Sequence, residues 1–397
     1  MRRVLFAVVM AAMLPTTVSA APEPAHVQAT RPRWVAPIDS RTTDQWLSES
    51  AGVVYGARHG RLVAIDLRSG GTRWIAPVAV IGRSAAGGGF VAAPSEHAVS
   101  FIDARNGHTV VTRSAGSSRR GGHGPGVASY SPGFVVAAEA ASGGTVAHAF
   151  GFDGTPRWTK TFAFGADPQR IVSLGGDAVG LRGRDAILVI DGRDGRGVAQ
   201  TDGIEDLIGA DGRYLWFNVV NGGIKGLDLD RNRSRALHGS IVKGAARVEH
   251  GVAVAVVNGR LQKIDLTRND GDDAAVNAMR VDGRWVGGPA AGRIFLERGD
   301  GMYVQALDGG AKPHRVARYA GESRMVAVDG RRALVGMENG TIYVVDVVSD
   351  TQLARIDTTC RAYEGFAASG NTTIVHCDDE THAAELVAFD RVPQAMP

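Results

Sequence analysis

A short apolar segment that ends in aspartate recurs nine times along the chain. The aspartates that end these segments are Asp66, Asp103, Asp153, Asp191, Asp228, Asp265, Asp308, Asp346 and Asp390. Successive members of this set are 37, 50, 38, 37, 37, 43, 38 and 44 residues apart. A period near 40 residues indicates a repeat architecture, because each repeat is one supersecondary unit that buries its apolar face against its neighbours. The 397 residues therefore predict one large array rather than several independent domains.

Each repeat contains several short segments with the pattern of β-strands. Val252–Val256 alternates larger and smaller apolar residues, as in a strand buried between two sheets. Pairs such as Asn221-Gly222 and Asn339-Gly340 tolerate positive φ and fit two-residue hairpin turns. A small sheet cannot bury both of its faces alone, whereas a closed ring of sheets can. The sequence therefore predicts an all-β fold, a single β-propeller with three or four antiparallel strands in each blade.

The most complete repeat runs from Ala64 to Trp74. Within it, Asp66 ends the third strand, Gly70 turns the chain, and Trp74 lies on the fourth strand, where it can dock between neighbouring sheets. The same elements recur as Asp103 with Gly107, as Asp191 with Gly195, and as Trp158 after Asp153. This repeat resembles that of the pyrroloquinoline-quinone-like (PQQ-like) β-propellers, the superfamily of the quinoprotein alcohol dehydrogenases. The resemblance covers residues 31–391 and implies eight blades in a domain of residues 31–397, with nine, the number of aspartates, as the alternative.

The N-terminal part of this domain supplies a candidate strand for closing the ring. Arg31–Pro37 shares an Arg-Trp pair and an Ala-Pro pair with Thr72–Pro77, the fourth strand of the first repeat. The last repeat ends just after Asp390 and has no fourth strand of its own. We therefore expect the segment around Trp34 to complete the last blade and to join the two ends of the chain.

The first 20 residues have the pattern of a secretory signal peptide. Arg2-Arg3 precedes an apolar run from Val4 to Leu14, and the small residues Val18-Ser19-Ala20 suit cleavage after Ala20. The run is too short to cross a bilayer, which takes about 20 residues. The arginine pair alone also fits a twin-arginine export signal, as an alternative. No cysteine near the cleavage site could carry a lipid, so the sequence predicts neither a membrane span nor a lipid anchor.

The expected mature protein is a nearly neutral monomer in the periplasm or outside the cell. Its first residues, 21–30, are expected to be flexible. Removal of Arg2 and Arg3 lowers the formal net charge from +3 to +1. A balance so near zero gives no reason to expect nucleic acid or an anionic membrane as a partner.

Cys360 and Cys377 are the only cysteines, and export would place them where disulfides persist. Both flank an expected hairpin turn near Ser369-Gly370, so the sequence favours a disulfide across adjacent antiparallel strands. Two free buried thiols are the alternative. The quinoprotein dehydrogenases that the repeat resembles use a disulfide between adjacent cysteines against their cofactor, and this chain has no such pair.

The longest interval between aspartates contains a glycine-rich basic segment, which is the first candidate for partner binding. Arg119 and Arg120 could pair with carboxylates or phosphates of a partner, and His123 lies beside them. Insertions in rigid scaffolds often carry recognition. The eleven histidines are dispersed and show no spacing that would focus them on one metal, so no metal site is predicted. No catalytic residue could be assigned either.

These features favour an exported, non-catalytic propeller that binds a protein partner through inter-blade loops and its rim, with no cofactor. In this respect the chain is similar to the propeller scaffold of the outer-membrane β-barrel assembly machinery. The alternative function is that of a PQQ-dependent oxidoreductase, acting on an alcohol or a sugar with PQQ and calcium. That alternative would need a stacking platform, a cation site and a general base.

Overall fold

The structure is a computed structural model. It describes residues 29–39, 46–48, 52–80, 84–114, 126–130, 133–165, 171–174, 178–211, 214–219, 223–237, 241–249, 251–257, 260–266, 276–279, 281–308, 312–329, 332–349, 351–360, 363–369, 372–377 and 384–390. These ranges form strands and turns and contain no helix, which confirms the all-β expectation. No membrane-spanning helix is found in them.

The described strands pair into nine small sheets. The chain begins with β1 (Ala29–Thr30) and β2 (Trp34–Pro37). Sheet 1 contains β3 (Trp46–Ser48), β4 (Val53–Arg58), β5 (Arg61–Asp66) and β6 (Thr72–Ala79). Sheet 2 contains β7 (Ala85–Gly87), β8 (Phe90–Pro94), β9 (Ala98–Asp103) and β10 (Thr109–Ser114). Sheet 3 contains β11 (Gly126–Tyr130), β12 (Phe134–Ala141), β13 (Gly144–Gly151) and β14 (Pro156–Phe162). Sheet 4 contains β15 (Ile171–Ser173), β16 (Ala178–Arg182), β17 (Ile187–Asp191) and β18 (Gly197–Thr201).

The second half of the chain repeats this arrangement. Sheet 5 contains β19 (Ile204–Asp211), β20 (Tyr214–Val219), β21 (Ile224–Asp228) and β22 (Arg233–Leu237). Sheet 6 contains β23 (Ile241–Glu249), β24 (Val252–Val257), β25 (Arg260–Asp265) and β26 (Val276–Ala278). Sheet 7 contains β27 (Arg284–Ala290), β28 (Arg293–Arg298), β29 (Gly301–Ala306) and β30 (His314–Arg318). Sheet 8 contains β31 (Ser323–Asp329), β32 (Arg332–Met337), β33 (Thr341–Asp346) and β34 (Thr351–Asp357), and sheet 9 contains β35 (Tyr363–Ser369), β36 (Thr372–Cys377) and β37 (Glu385–Asp390).

The sheets follow one another around a closed ring, which confirms the β-propeller. In the described residues an apolar cluster fills the space between each sheet and the next, including sheets 9 and 1. The first strand of sheet 1 also contacts the first strand of sheet 9. The described sheets number nine, as the aspartates do, which is one more than the eight blades expected from the resemblance.

The ring is closed by the N-terminal strand, as the sequence predicts. β2 pairs antiparallel with β37, with Trp34 opposite Ala388 and Val35 opposite Val387. β2 thus supplies the fourth strand of sheet 9. β1 pairs in parallel with β34 at the edge of sheet 8, so the last two residues of the segment expected to be flexible have a strand partner. The expected signal peptide lies outside the described residues.

Three tryptophans of fourth strands dock on the aspartate turn of the next sheet. Trp34 Nε1 donates to Leu67 O at 2.9 Å, in the turn that follows Asp66. Trp74 Nε1 donates to Ala104 O at 3.0 Å, and Trp158 Nε1 donates to Gly192 O at 2.9 Å. Each acceptor belongs to the residue directly after the aspartate that ends a third strand. The docking predicted for Trp74 and Trp158 is therefore present in the structure.

The glycine of each docked turn is required by the tryptophan above it. Gly70 has φ +71, and a Cβ built on it would lie 2.6 Å from Cγ of Trp34. A Cβ built on Gly107 would likewise collide with the ring of Trp74, and a Cβ built on Gly195 would collide with the ring of Trp158.

The next turn of this kind shows the converse case. Asn232, with φ 49, replaces the glycine of sheet 5. No tryptophan occupies the fourth strand of sheet 4 (Gly197–Thr201), and the Asn232 side chain accepts a hydrogen bond from the backbone N–H of Gln200 at 3.1 Å. A side chain at this turn position is thus accommodated where the preceding strand presents no large ring.

Replacing Gly70 by alanine should test the docking directly. We expect Gly70→Ala to lower the free energy of unfolding by about 3 kcal/mol, because the left-handed backbone and the collision with Trp34 both add a cost. Gly60→Ala is the matched control: its φ is +69, and nothing lies within 4 Å of a Cβ built on it. It should cost only about 1 kcal/mol. Equal losses in denaturant unfolding of the two variants would contradict the docking.

Candidate interaction surface

The ring has two distinguishable sides. On the turn face, third strands end in the recurrent aspartates and lead through a tight turn into fourth strands. On the opposite side, the connection face, each fourth strand leads to the first strand of the next sheet. Both sides follow from the antiparallel order of the strands within each sheet.

The aspartates of the turn face act as turn formers. Asp66 Oδ1 accepts the backbone N–H groups of Arg68 and Ser69, both at 2.9 Å. Gly70 N closes the turn by donating to Asp66 O at 2.8 Å. Asp103 and Asp191 hold their turns in the same way through Arg105 N and Arg193 N. These carboxylates are thus engaged in local structure rather than in chemistry.

The predicted partner-binding residues Arg119, Arg120 and His123 lie outside the described residues. They stay a prediction. The described chain leaves the fourth strand of sheet 2 at Ser114 and resumes with the first strand of sheet 3 at Gly126.

The two cysteines form the expected disulfide, but not between two strands. Cys360 lies in the connection between β34 and β35, and Cys377 ends β36, with 5.3 Å between their Cα atoms. Tyr363, not Cys360, is the residue paired with Cys377 in the sheet. The hairpin that joins β35 to β36 therefore lies at the far end of these strands. The disulfide instead ties the connection between sheets 8 and 9 to the second strand of sheet 9.

A buried carboxylate lies between sheets 7 and 8 on the connection face. Glu297 accepts hydrogen bonds from Nε of Arg284 at 3.1 Å, from the Ser323 backbone N–H at 2.6 Å and from the Tyr319 hydroxyl at 3.3 Å. Arg284 Nη2 also pairs with it. Burial, and then the charge of Glu297, raise the pKa of the Tyr319 hydroxyl. The oxygens of Glu297 are used in joining two sheets, so this cluster is structural.

Sheet 3 carries a histidine between a carboxylate and a hydroxyl. His148 Nε2 lies 3.1 Å from Glu139 Oε1, and His148 Nδ1 lies 3.0 Å from Thr159 Oγ1. His148 and Thr159 are directly opposite each other on β13 and β14. Sheet register alone brings these residues together, as for other cross-strand polar pairs. The sequence could not predict that Glu139, His148 and Thr159 lie together, since their spacing matches no motif.

Exposed aliphatic side chains are concentrated on the outer part of the turn face. Among the described residues five large apolar side chains are exposed, and four of them lie there, on consecutive sheets of the ring. They are Val348 in the turn of sheet 8, Val35 on the fourth strand of sheet 9, Ile75 on that of sheet 1, and Val110 on that of sheet 2. The fifth, Leu207, lies on β19, the first strand of sheet 5. Exposed aliphatic side chains that recur on neighbouring sheets at one side of the ring are a candidate interaction surface, whereas single exposed apolar residues are ordinary.

Metal ligands are not grouped in the described part of the chain. There, no three His, Cys, Asp or Glu side chains are placed to hold one metal ion.

No protein-family model and no curated protein matches the sequence. Among solved structures, the chain is similar to a europium-containing methanol dehydrogenase, with 12% sequence identity, a TM-score of 0.51, and coverage of 91% of this chain and 93% of that chain. It is also similar to the quinohemoprotein alcohol dehydrogenase from Comamonas testosteroni, with 11% identity, a TM-score of 0.51, and coverage of 91% and 76%. BamB from Moraxella catarrhalis matches with 14% identity and a TM-score of 0.45, over 91% and 100% of the two chains. The structural resemblance to PQQ-like propellers, expected from the Asp-Gly-Trp repeat, is thereby confirmed at the level of the fold.

The stability that the turn carrying Arg68 gives to the fold should decrease at low pH. The hydrogen bond from Arg73 is the main cause that lowers the pKa of Asp66 to about 2; the N–H groups of Ser69 and Arg68 add to it, and burial opposes it. A depressed carboxyl pKa stabilises the fold above the unfolded value near pH 4, and this stability is lost as the pH falls towards 2.

Asp66→Asn should therefore be less stable than the wild type by about 1 kcal/mol at pH 6, since the Asp66–Arg73 pair is partly screened by solvent. The difference between the two proteins should shrink between pH 4 and about pH 2. Thermal unfolding across this range measures it. A difference that stays constant with pH would show that the Asp66 charge does not support the turn.

Proposed function

We propose that this protein is an exported, non-catalytic β-propeller scaffold that binds a protein partner through its rim and inter-blade loops. The supporting observation is the row of exposed aliphatic side chains on four consecutive sheets of the turn face. A folded chain leaves such a row in water at a cost, and a partner that covers it recovers that free energy. The ring itself is rigidly packed, which suits a scaffold that presents a fixed surface.

Export is supported by the disulfide between Cys360 and Cys377. Disulfides persist in oxidising compartments and are rare in the cytosol. Together with the signal-peptide pattern of residues 1–20, this favours the periplasm or the outside of the cell. Arg119, Arg120 and His123 remain proposed contacts of an inter-blade loop.

A second candidate function is that of a PQQ-dependent oxidoreductase. It is favoured by the likeness of the fold to methanol dehydrogenase and quinohemoprotein alcohol dehydrogenase. Among the described residues, no three His, Cys, Asp or Glu side chains are grouped to hold a metal ion. Purified protein incubated with PQQ and calcium should change its absorption spectrum and reduce a dye with an alcohol or a sugar if this function is present. Absence of both signals would eliminate it.

Site-specific photo-crosslinking in the source cells tests the scaffold function. A photoreactive residue would be placed at Ile75 and Val110 on the turn face, at the exposed Arg184 on the connection face, and at Arg120 in the insertion. We expect a discrete protein adduct from at least one position, because a scaffold holds its partner at a defined surface. Full-length folded protein that gives no adduct at any position would contradict the scaffold function, and reduction of dye with PQQ by that protein would support the enzyme.

A further inference from the structure

Building on the proposed function, we infer that one patch of the turn face binds a partner segment in which aliphatic side chains alternate with carboxylates. The patch, called here the rim patch, consists of Val35, Arg68, Ile75, Arg105 and Val110. It extends over sheets 9, 1 and 2, which are neighbours in the ring. Nothing in the Asp-Gly-Trp repeat requires the three aliphatic side chains to be exposed.

The aliphatic members extend inter-sheet cores to the surface. Val35 lies opposite Val387, and Ile75 lies opposite Val63, so both continue rows of buried side chains in their own sheets. Yet Val35 is 45% exposed and Ile75 is 49% exposed. The two residues are equivalent, because each follows the docked tryptophan in an Arg-Trp-aliphatic-Ala-Pro sequence. The ring thus presents the same apolar feature twice, side by side.

Val110 adds a third exposed aliphatic side chain on the next sheet. It lies at the register shift between Thr109 and Val111, where β10 leaves regular pairing with β9. This side chain is 53% exposed, the most exposed of the large apolar residues described. A bulge at this point turns the residue away from the core row. The apolar part of the rim patch therefore continues from sheet 9 to sheet 2.

Around the rim patch, the four arginines Arg33, Arg68, Arg73 and Arg105 outnumber the three turn carboxylates Asp66, Asp103 and Asp390, so its net charge is positive. The carboxylates of Asp66 and Asp390 are paired with Arg73 at 2.7 Å and with Arg33 at 3.1 Å. Arg68 and Arg105 are exposed, and no ion pair of their guanidinium groups is found among the described residues.

The turns also explain why these two arginines face solvent. Each donates its backbone N–H to the aspartate two residues before it, at 2.9 Å for Arg68 and 2.8 Å for Arg105. The aspartate side chain is held against the turn, and the guanidinium is left outside it. Guanidinium groups bind carboxylates in a fixed forked geometry. Aliphatic and acidic side chains in one partner segment would therefore complement the rim patch.

The rim patch is held rigidly before any partner binds. Trp34 docks on the turn that carries Arg68, and Trp74 docks on the turn that carries Arg105. A preorganised surface loses less conformational entropy on binding.

Side-chain recognition is favoured over strand addition and over a bilayer. Pro37 and Pro77 lie on the outer strands β2 and β6, and a proline removes an N–H that an added strand would need. Val35 and Ile75 belong to rows that face the neighbouring sheets. A protein segment can follow the clefts between outer strands, whereas a flat lipid surface cannot.

Sheet 4 provides an internal comparison. Its turn also carries a docked tryptophan, and Arg193 stands where Arg68 stands in sheet 1. Gln200 lies nine residues after Asp191, as Ile75 lies nine residues after Asp66, and Gln200 is polar. Arg193 is paired with Asp191 at 3.3 Å. Sheet 4 thus has the same scaffold without the aliphatic side chain and without an unpaired arginine at that place.

Peptide binding to the full mature protein tests the rim patch. The probe is a fluorescein-labelled peptide of twelve residues in which valine and aspartate alternate. In one comparison probe lysine replaces each aspartate, and in the other serine replaces each valine. Fluorescence anisotropy should show binding of the first probe only, weakened by salt. We expect Ile75→Ser with Val110→Ser, and separately Arg68→Ser with Arg105→Ser, to weaken this binding about tenfold or more. On sheet 4, Arg196 is an exposed arginine of the turn before β18, and Arg196→Ser with Gln200→Ser should change the binding less than twofold.

Several outcomes would overturn the rim patch. They are no binding of the valine-aspartate probe, equal binding of the lysine probe, equal effects of the sheet 1–2 and sheet 4 variants, or binding only to phosphatidylglycerol vesicles. Unchanged thermal unfolding of the variants excludes misfolding as the cause of a loss. If the valine-aspartate probe does not bind but a photo-crosslinked adduct forms at Arg184 or Arg120, the scaffold function is supported and only the rim patch is rejected. If no adduct forms anywhere, the scaffold function falls as well.

Discussion

The structure depends on the burial of both faces of each small sheet by its two neighbours. No single sheet of three or four strands has enough apolar contact to be stable alone, so each becomes stable only as part of the ring. The described residues show this dependence as an unbroken series of inter-sheet clusters. The contact between sheets 9 and 1 is the critical one, because β2 comes from the opposite end of the chain. Trp34 belongs to this contact through both its strand pairing and its docking on Leu67.

Much of the fold could be predicted from the sequence because the repeat is encoded locally. An aspartate that accepts N–H groups two and three residues ahead, a glycine with positive φ, and a tryptophan on the next strand are all visible in the order of residues. The closing strand could be predicted as well, because Arg31–Pro37 repeats the sequence of a fourth strand. The described residues form nine sheets, which equals the number of recurrent aspartates. The eight blades implied by the resemblance to the family are one fewer.

The sites were harder to predict than the fold. The disulfide was expected between adjacent strands, yet Cys360 lies in a connection, since the end of β34 cannot be read from the sequence. The Glu297 cluster and the row through His148 arise from register and sheet contact, which leave no local pattern. The rim patch was also missed, because exposure of Ile75 depends on how far the neighbouring sheet reaches over it. By contrast, the first sequence candidate, the insertion with Arg119, Arg120 and His123, lies outside the described residues.

Amide hydrogen exchange of the N-terminal strand tests the central claim most directly. If β2 closes the ring, the amides of Ala36 and Ile38, which face β37, exchange in the intact protein as slowly as those of β37, because both strands open only when sheet 9 separates from its neighbours. Exchange of these amides at the rate of an unstructured peptide, beside a protected β37, would show that the ring is held shut without the N-terminal strand.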